Sequence, residues 1–206
     1  EVSGPDAAEF LQGQVTNDTE ELAAGSGVYA ALLDRKGHLQ GDMRILRLTD
    51  DSFLIDTEPE TGPVLIKHFT MYKIGRKVDV TGTSRSLFSL IGPASLVVTG
   101  LAPGDEHDFN EAIIAGVDCL VVTTSLGLDV ICEPAEADAV RAQLEADGAI
   151  PVSEKAAEIL RVERGLPRFG ADMTGANMPA EAGIVERAVR RQARRGREIP
   201  PADVPA

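Results

Sequence analysis

IGPASLVVTGL, residues 91–101, restarts a pattern that GPDAAEFLQGQ, residues 4–14, began 88 positions earlier. In each, Gly-Pro stands before an apolar helical run. Proline is tolerated in a first helical turn because the amide it lacks has no intrahelical partner there. The elements after each run are alike as well. After the first Gly-Pro, residues 28–33, 39–48 and 53–56 read as strands, and residues 60–73 as a helix with Val64, Leu65, His68, Phe69 and Tyr72 near helical spacing. After the second, residues 117–123 and 128–132 read as strands and 134–147 as a helix opened by Pro134. The shared order of Gly-Pro helix, β-hairpin and helix predicts an internal duplication, an α+β domain of two similar, intertwined units.

Outward from these repeats, residues 77–80 and 86–91 read as further strands, and Glu1-Val2 as the end of a strand in a chain that begins inside a domain. Residues 153–164 read as a helix with Ser153 as N-cap; Ala156 stands where a capping box would place an acid.

The chain has 206 residues, 43% of them hydrophobic and 26% charged, enough to bury a sizeable core. It has no apolar run of membrane-spanning length, and its first ten residues lack the basic start and apolar centre of a signal peptide. Cys119 and Cys132 lie in apolar stretches and read as buried thiols, and His38, His68 and His107 have no metal-ligand spacing. These features point to a cytoplasmic protein without a bound metal. The net charge of −13 disfavours nucleic acid and anionic membranes as partners. The charge is uneven, however. Residues 187–206 hold six arginines against Glu198 and Asp203, a net of +4, which leaves −17 on residues 1–186. The expected organisation is therefore a folded domain over residues 1–186 and a basic, Pro-containing, disordered tail over 187–206, the one place where nucleic acid could bind.

The segment richest in chemistry is RVERGLPRFGADMTGANMPAEAG, residues 161–183. It leaves helical periodicity and sets Arg161, Glu163, Arg168, Asp172 and Glu181 among glycines, whose backbones can approach a ligand closely. A carboxylate just ahead of such a loop can accept two parallel hydrogen bonds from a flat donor face such as a pterin edge. The same charges also suit a solvated surface loop.

Together with FLQGQVTNDTEEL (10–22), YAALLDRKGHLQGDMRIL (29–46), MYKIGRKVDV (71–80) and LIGP (90–93), this segment resembles the folate-binding proteins of the glycine cleavage T-protein (aminomethyltransferase) superfamily. The closer resemblance is to the YgfZ-type branch, linked to iron–sulfur cluster assembly or repair and to tRNA modification. It implies an α+β folate-binding domain with a duplicated core and tetrahydrofolate as ligand. It also implies iron–sulfur proteins or their assembly machinery as partners. In that family a small β-barrel comes next, for which this chain has no room.

By position, the resemblance makes Glu163 the residue that grips the pterin. Asn17 and Asp18 become the Thr-Asn-Asp element lining the cavity, Tyr29 packs against that cavity, and Arg168 meets the glutamate tail of the folate. Asp42 becomes the acid near the reactive folate nitrogen. Aminomethyltransferases carry an Asp-Asp pair at this point, whereas this chain reads Gly41-Asp42, which favours the YgfZ-type branch. That branch continues into a Lys-Gly-Cys-Tyr-x-Gly-Gln-Glu motif, but here the sequence after Val189 is RRQARRGREIPPADVPA. The break implies a C-terminus that is truncated or read in another frame. Three readings stay open: a folate-binding accessory protein, a folate-dependent aminomethyltransferase, and a fragment without function. Asp18 as a turn cap, Arg161 as a solvated helix residue, and Asp172 and Glu181 as loop-stabilising acids are the plain readings of single residues.

Overall fold

The computed structural model describes residues 1–101 and 104–179. Strands β1 (Val2–Ser3), β2 (Gly27–Leu33), β3 (Leu39–Thr49), β4 (Ser52–Asp56) and β5 (Asp79–Val80) form a five-stranded sheet in the order β2-β3-β4-β1-β5. Strands β6 (Ser86–Ile91), β7 (Phe109–Ile114), β8 (Val117–Thr123) and β9 (Gly127–Cys132) form a second sheet in the order β6-β9-β8-β7. Every pairing is antiparallel.

The helices are α1 (Ala7–Gln12), α2 (Gly62–Tyr72), α3 (Ser95–Thr99), α4 (Ala137–Ala146) and α5 (Glu154–Glu163). Period-two alternation sorts each strand's side chains onto two faces. On the first sheet, Val28, Ala30, Leu32, Met43 and Ile45 face α1 and α2, where they bury Phe10, Leu11, Leu65 and Phe69. On the second, Cys119, Val121, Val130 and Cys132 face α4 and bury Val140 and Leu144. The opposite faces of the sheets meet through Leu46, Leu54, Phe109, Val122 and Ile131. The layers are thus helix, sheet, sheet, helix, and both cysteines are free, buried thiols as expected. Among the described residues no helix is long and apolar enough to cross a membrane.

The two halves share more than their element order. Read from β1 and from β6, the strand orders β1-β4-β3-β2 and β6-β9-β8-β7 are the same path. Gly4 and Gly92 have matching backbones, at φ +127° and +117°. Each also donates its amide to the turn joining the last two strands of its half, Gly4 to the Asp51 carbonyl and Gly92 to that of Leu126, both at 2.8 Å.

Several expectations need correction. Strands of the two halves do not mix within a sheet. What returns to the first half is the segment after α5, where Met173 and Phe169 pack on Ala31 and Leu39, and the Leu39 amide donates to the Asn177 carbonyl at 3.0 Å. Helix α1 begins at Ala7 rather than Pro5, because residues 4–6 form a turn and the Asp6 carboxylate accepts the Lys77 amide at 2.7 Å. Pro134–Glu136 is a 3-10 turn ahead of α4. Strand β7 has no counterpart among the expected strands, and β5 is shorter than residues 77–80. Ser153 does cap α5, accepting the Ala156 amide at 3.3 Å. The basic tail and Glu181 lie outside the described residues.

Candidate functional site

The Thr-Asn-Asp element runs along the free edge of β2. Val15 bridges Leu32, the Thr16 hydroxyl accepts the Ala31 amide at 2.9 Å, and the Asn17 side-chain amide donates to the Tyr29 carbonyl at 2.9 Å. Asn17 and Tyr29, predicted as site residues, are therefore joined. Asp18 does what a turn cap does, accepting the Glu21 amide at 3.1 Å.

Tyr29, Ala31, Asp42 and Arg44 share the face of the first sheet that turns away from α1 and α2, in the register Tyr29↔Arg44 and Ala31↔Asp42. Across this diagonal the Tyr29 hydroxyl donates to the Asp42 carboxylate at 2.5 Å. Asp42 is buried, and its carbonyl accepts the Thr57 hydroxyl at 2.6 Å. A short, charge-assisted bond on one end and a backbone anchor on the other fix this carboxylate in place.

Beside it lies a charge cluster that sequence reasoning missed, buried at Arg44 and half-buried at its two acids. Arg44 bonds Asp56 at 2.6 Å and Asp129, from the second sheet, at 2.7 Å, and Ser89 donates to Asp129 at 2.7 Å. Burial pulls the Arg44 guanidinium down, but Asp129 and Asp56 more than offset that and hold it charged. Burial also pushes the Asp56 carboxyl above its usual range, and Arg44, shared between two acids, offsets this only in part. The available signal was Arg44 two positions from Asp42, in the same strand and on the same face.

The Gly-rich segment is held by ion pairs. Arg161 bonds Glu158 at 2.6 Å, Asp172 at 2.5 Å and the Leu166 carbonyl. Its hydrogen bond to Glu158, then those with Asp172, raise its pKa, and Arg161 in turn holds Glu158 and Asp172 below the usual carboxylate range. Arg168 bonds Glu58 at 3.0 Å and approaches Glu158 at 3.7 Å. These pairs tie the segment to Glu58, just beyond β4. Arg161 and Asp172 are likewise clamp residues. Glu163 ends α5 with an exposed side chain, and among the described residues it makes no hydrogen bond or ion pair. The segment it introduces covers the Tyr29 face through Phe169 and Met173.

Gly41 corrects the argument built on the missing acid. Position 41 lies on the opposite face from Asp42, against Thr61 at the start of α2. A carboxylate there would point into the helix layer, away from Tyr29 and Asp42. Its absence therefore does not weigh against a transferase.

The tools of this face are a fixed, buried carboxylate beside a phenol and an apolar cover, in the segment that follows Glu163. That set suits a flat ligand with paired N–H donors. Residues 1–192 match the family described as the GCVT N-terminal domain. The probable aminomethyltransferase of Natronomonas pharaonis is 29% identical over 201 residues, covering 89% of this chain and 55% of that protein. The crystal structure of glycine cleavage system aminomethyltransferase T from Bartonella henselae superposes with a TM-score of 0.78 at 24% identity, over 93% of this chain and 56% of that one. At that identity the likeness is one of fold. The chain spans about half the length of these relatives.

Proposed function

We propose that this chain, which belongs to the GCVT N-terminal domain family, binds tetrahydrofolate on the polar face of its first sheet and forms the folate-holding half of an aminomethyltransferase. The observation that carries the reading is the Asp42 carboxylate fixed by the Tyr29 hydroxyl at 2.5 Å, under the segment that Glu163 introduces. Bound tetrahydrofolate supplies ring nitrogens that take up a one-carbon unit. The chain's own residues hold it. Glu163 accepts the paired donors of the pterin edge, Asp42 presents an oriented carboxylate for a developing positive charge, and Phe169 and Met173 keep water from the face. Arg161 and Arg168 position the segment rather than touch the ligand. The common strand order and the matching Gly-Pro turns support an internal duplication, of which the first copy carries the site.

An accessory role in iron–sulfur assembly or tRNA modification would use the same site without turnover. The comparisons favour the transferase reading, and Gly41 no longer argues against it.

Anaerobic calorimetric titration with tetrahydrofolate tests the binding. Glu163→Gln exchanges one acceptor for a donor and is expected to weaken binding by about 1–3 kcal/mol, with Tyr29→Phe weakening it in the same range. Equal affinity in all three proteins would remove the site from these residues. Methylene transfer from an aminomethyl donor then separates the transferase from the accessory role.

A further inference from the structure

The chain has two cysteines, and the second sheet sets them side by side. Strands β8 and β9 run in register from Thr123↔Leu128 to Leu120↔Ile131. One further step places Cys119 opposite Cys132, on the face that packs against α4. The hydrogen bonds decide what kind of pair this is. At the turn end of the hairpin, Thr124 and Gly127 exchange both amide–carbonyl bonds, at 2.9 and 3.4 Å. Along an antiparallel ladder such pairs alternate with pairs that exchange none. Cys119 and Cys132 lie five steps from Thr124 and Gly127, an odd number, so they form a pair of the second kind. There the Cα atoms stand about 4.5 Å apart and the side chains are at their closest.

A disulfide spans Cα separations of roughly 4.4–6.8 Å, so the two backbones already stand within bonding range. The outer neighbours in the same row, Ala112 beside Cys119 and Ser86 beside Cys132, are small and do not crowd the sulfurs. In the closed fold the pair is inert. Both cysteines are only 2% exposed, packed with Val140 and Leu144 of α4. Burial also pushes both thiols up, away from the reactive thiolate. Reaction therefore waits on a local opening in which α4 lifts from the sheet.

We propose that Cys119 and Cys132 are a modification site, a dithiol that closes into a cross-strand disulfide by exchange with a small-molecule disulfide of the glutathione class. In the opened form one cysteine gives its proton to water, and its thiolate attacks a sulfur of the oxidised glutathione. A protein–glutathione S–S bond forms and one glutathione thiolate leaves. The second cysteine, deprotonated in turn, attacks the protein sulfur of that bond; the cross-strand S–S bond forms and the other glutathione thiolate leaves. The two cysteines are oxidised, one glutathione disulfide is reduced, and its two thiolates take up the two protons. The product carries no charge and no polar hydrogen, so α4 closes over it without burying an unpaired group. Two cysteines serving only as small apolar core residues have no reason to face each other.

The test equilibrates the 206-residue chain with a series of reduced-to-oxidised glutathione ratios, in buffer and in concentrated urea. Each equilibrium is approached from the reduced and from the oxidised chain, so slow opening of α4 does not hide it. Free thiols are counted by alkylation and mass after an acid quench. The proposal expects both thiols to disappear together, without added glutathione mass, and the folded chain to favour the disulfide roughly tenfold or more above the unfolded chain. The oxidised chain should accordingly melt at a higher temperature than the reduced one. An equal or weaker preference in the folded chain overturns the proposal, as does a stable mixed disulfide or a disulfide joining two chains. Exchanging two neighbours on the same face, Cys119→Val with Val121→Cys, keeps the core composition but moves one thiol to a diagonal position, about 7–8 Å from Cys132. The folded-state preference should vanish there, and its survival overturns the argument from register. The pair lies in the second sheet and no folate enters the measurement, so its outcome is independent of the proposed function.

Discussion

A Cβ built on Gly41 would stand 2.3 Å from the Thr61 Cγ2, and Thr61 is itself buried. The glycine is therefore a packing requirement of the β3–α2 contact, and this decides what a second acid could do. Gly41→Asp is expected to destabilise the fold by about 1–3 kcal/mol through overpacking, without gain in methylene transfer. Thr61→Gly in the same chain should recover part of the loss. Urea denaturation and a transfer assay of the two variants check this; an active, undiminished Gly41→Asp protein would refute it.

Arg44 is the charge on which two acids from different sheets converge. Arg44→Met leaves Asp56 and Asp129 facing each other across the sheet contact; both acids keep some exposure, so the loss should fall below the about 3–5 kcal/mol typical of a fully buried pair broken on one side. The expected result is a large fall in the urea midpoint at neutral pH. Added Asp56→Asn and Asp129→Asn should recover much of it, because they remove the stranded charges.

The clamp on the Gly-rich segment has a defined pH response. Arg161 lowers the pKa of both Glu158 and Asp172 in the folded chain. Their contribution is therefore present above the ordinary carboxylate range and is lost as pH falls through the lowered values. Proteolysis or hydrogen exchange in residues 164–173 should accelerate on acidification, before the sheets open. In Arg161→Gln the segment should already exchange fast at neutral pH and respond little to acid.

The matching Gly-Pro turns are not equally demanding. Both glycines hold positive φ, which any other residue resists by about 1–2 kcal/mol. A Cβ at Gly4 would also meet the Lys77 carbonyl oxygen at 2.2 Å, whereas nothing lies within 4 Å of one at Gly92. Gly4→Ala should lower the melting temperature clearly more than Gly92→Ala, and equal losses would contradict the crowding at Lys77.

How much of this was legible beforehand depended on distance along the chain. Alternation and turn residues located β2, β3, β4, β6, β8 and β9, because each is a local pattern. Strand β7 escaped because FNEAII mixes polar and apolar residues on a half-covered strand. Its hairpin also turns through Ala115-Gly116, at φ +54° and +79°, rather than through an Asn-Gly or Asp-Gly pair. The link from Asn17 through Tyr29 to Asp42 joins three residues that the resemblance names. The pairs Arg44–Asp129 and Arg168–Glu58 join residues 85 and 110 positions apart, and no periodicity relates such partners. The facing of Gly41 was knowable in principle, since neighbouring strand residues point to opposite sides, but its neighbour Thr61 was not.

The return of residues 166–178 to the first sheet sets an order of events for a growing chain. Each sheet draws its strands from one contiguous stretch, so the first can form while the second is still being made. The cover over Tyr29 and Ala31 comes from beyond both. A nascent chain thus displays the polar face bare until the residues beyond the second sheet have been made, so a ligand that needed this cover would be held only after the second half, not when the sheet that carries the acid folds.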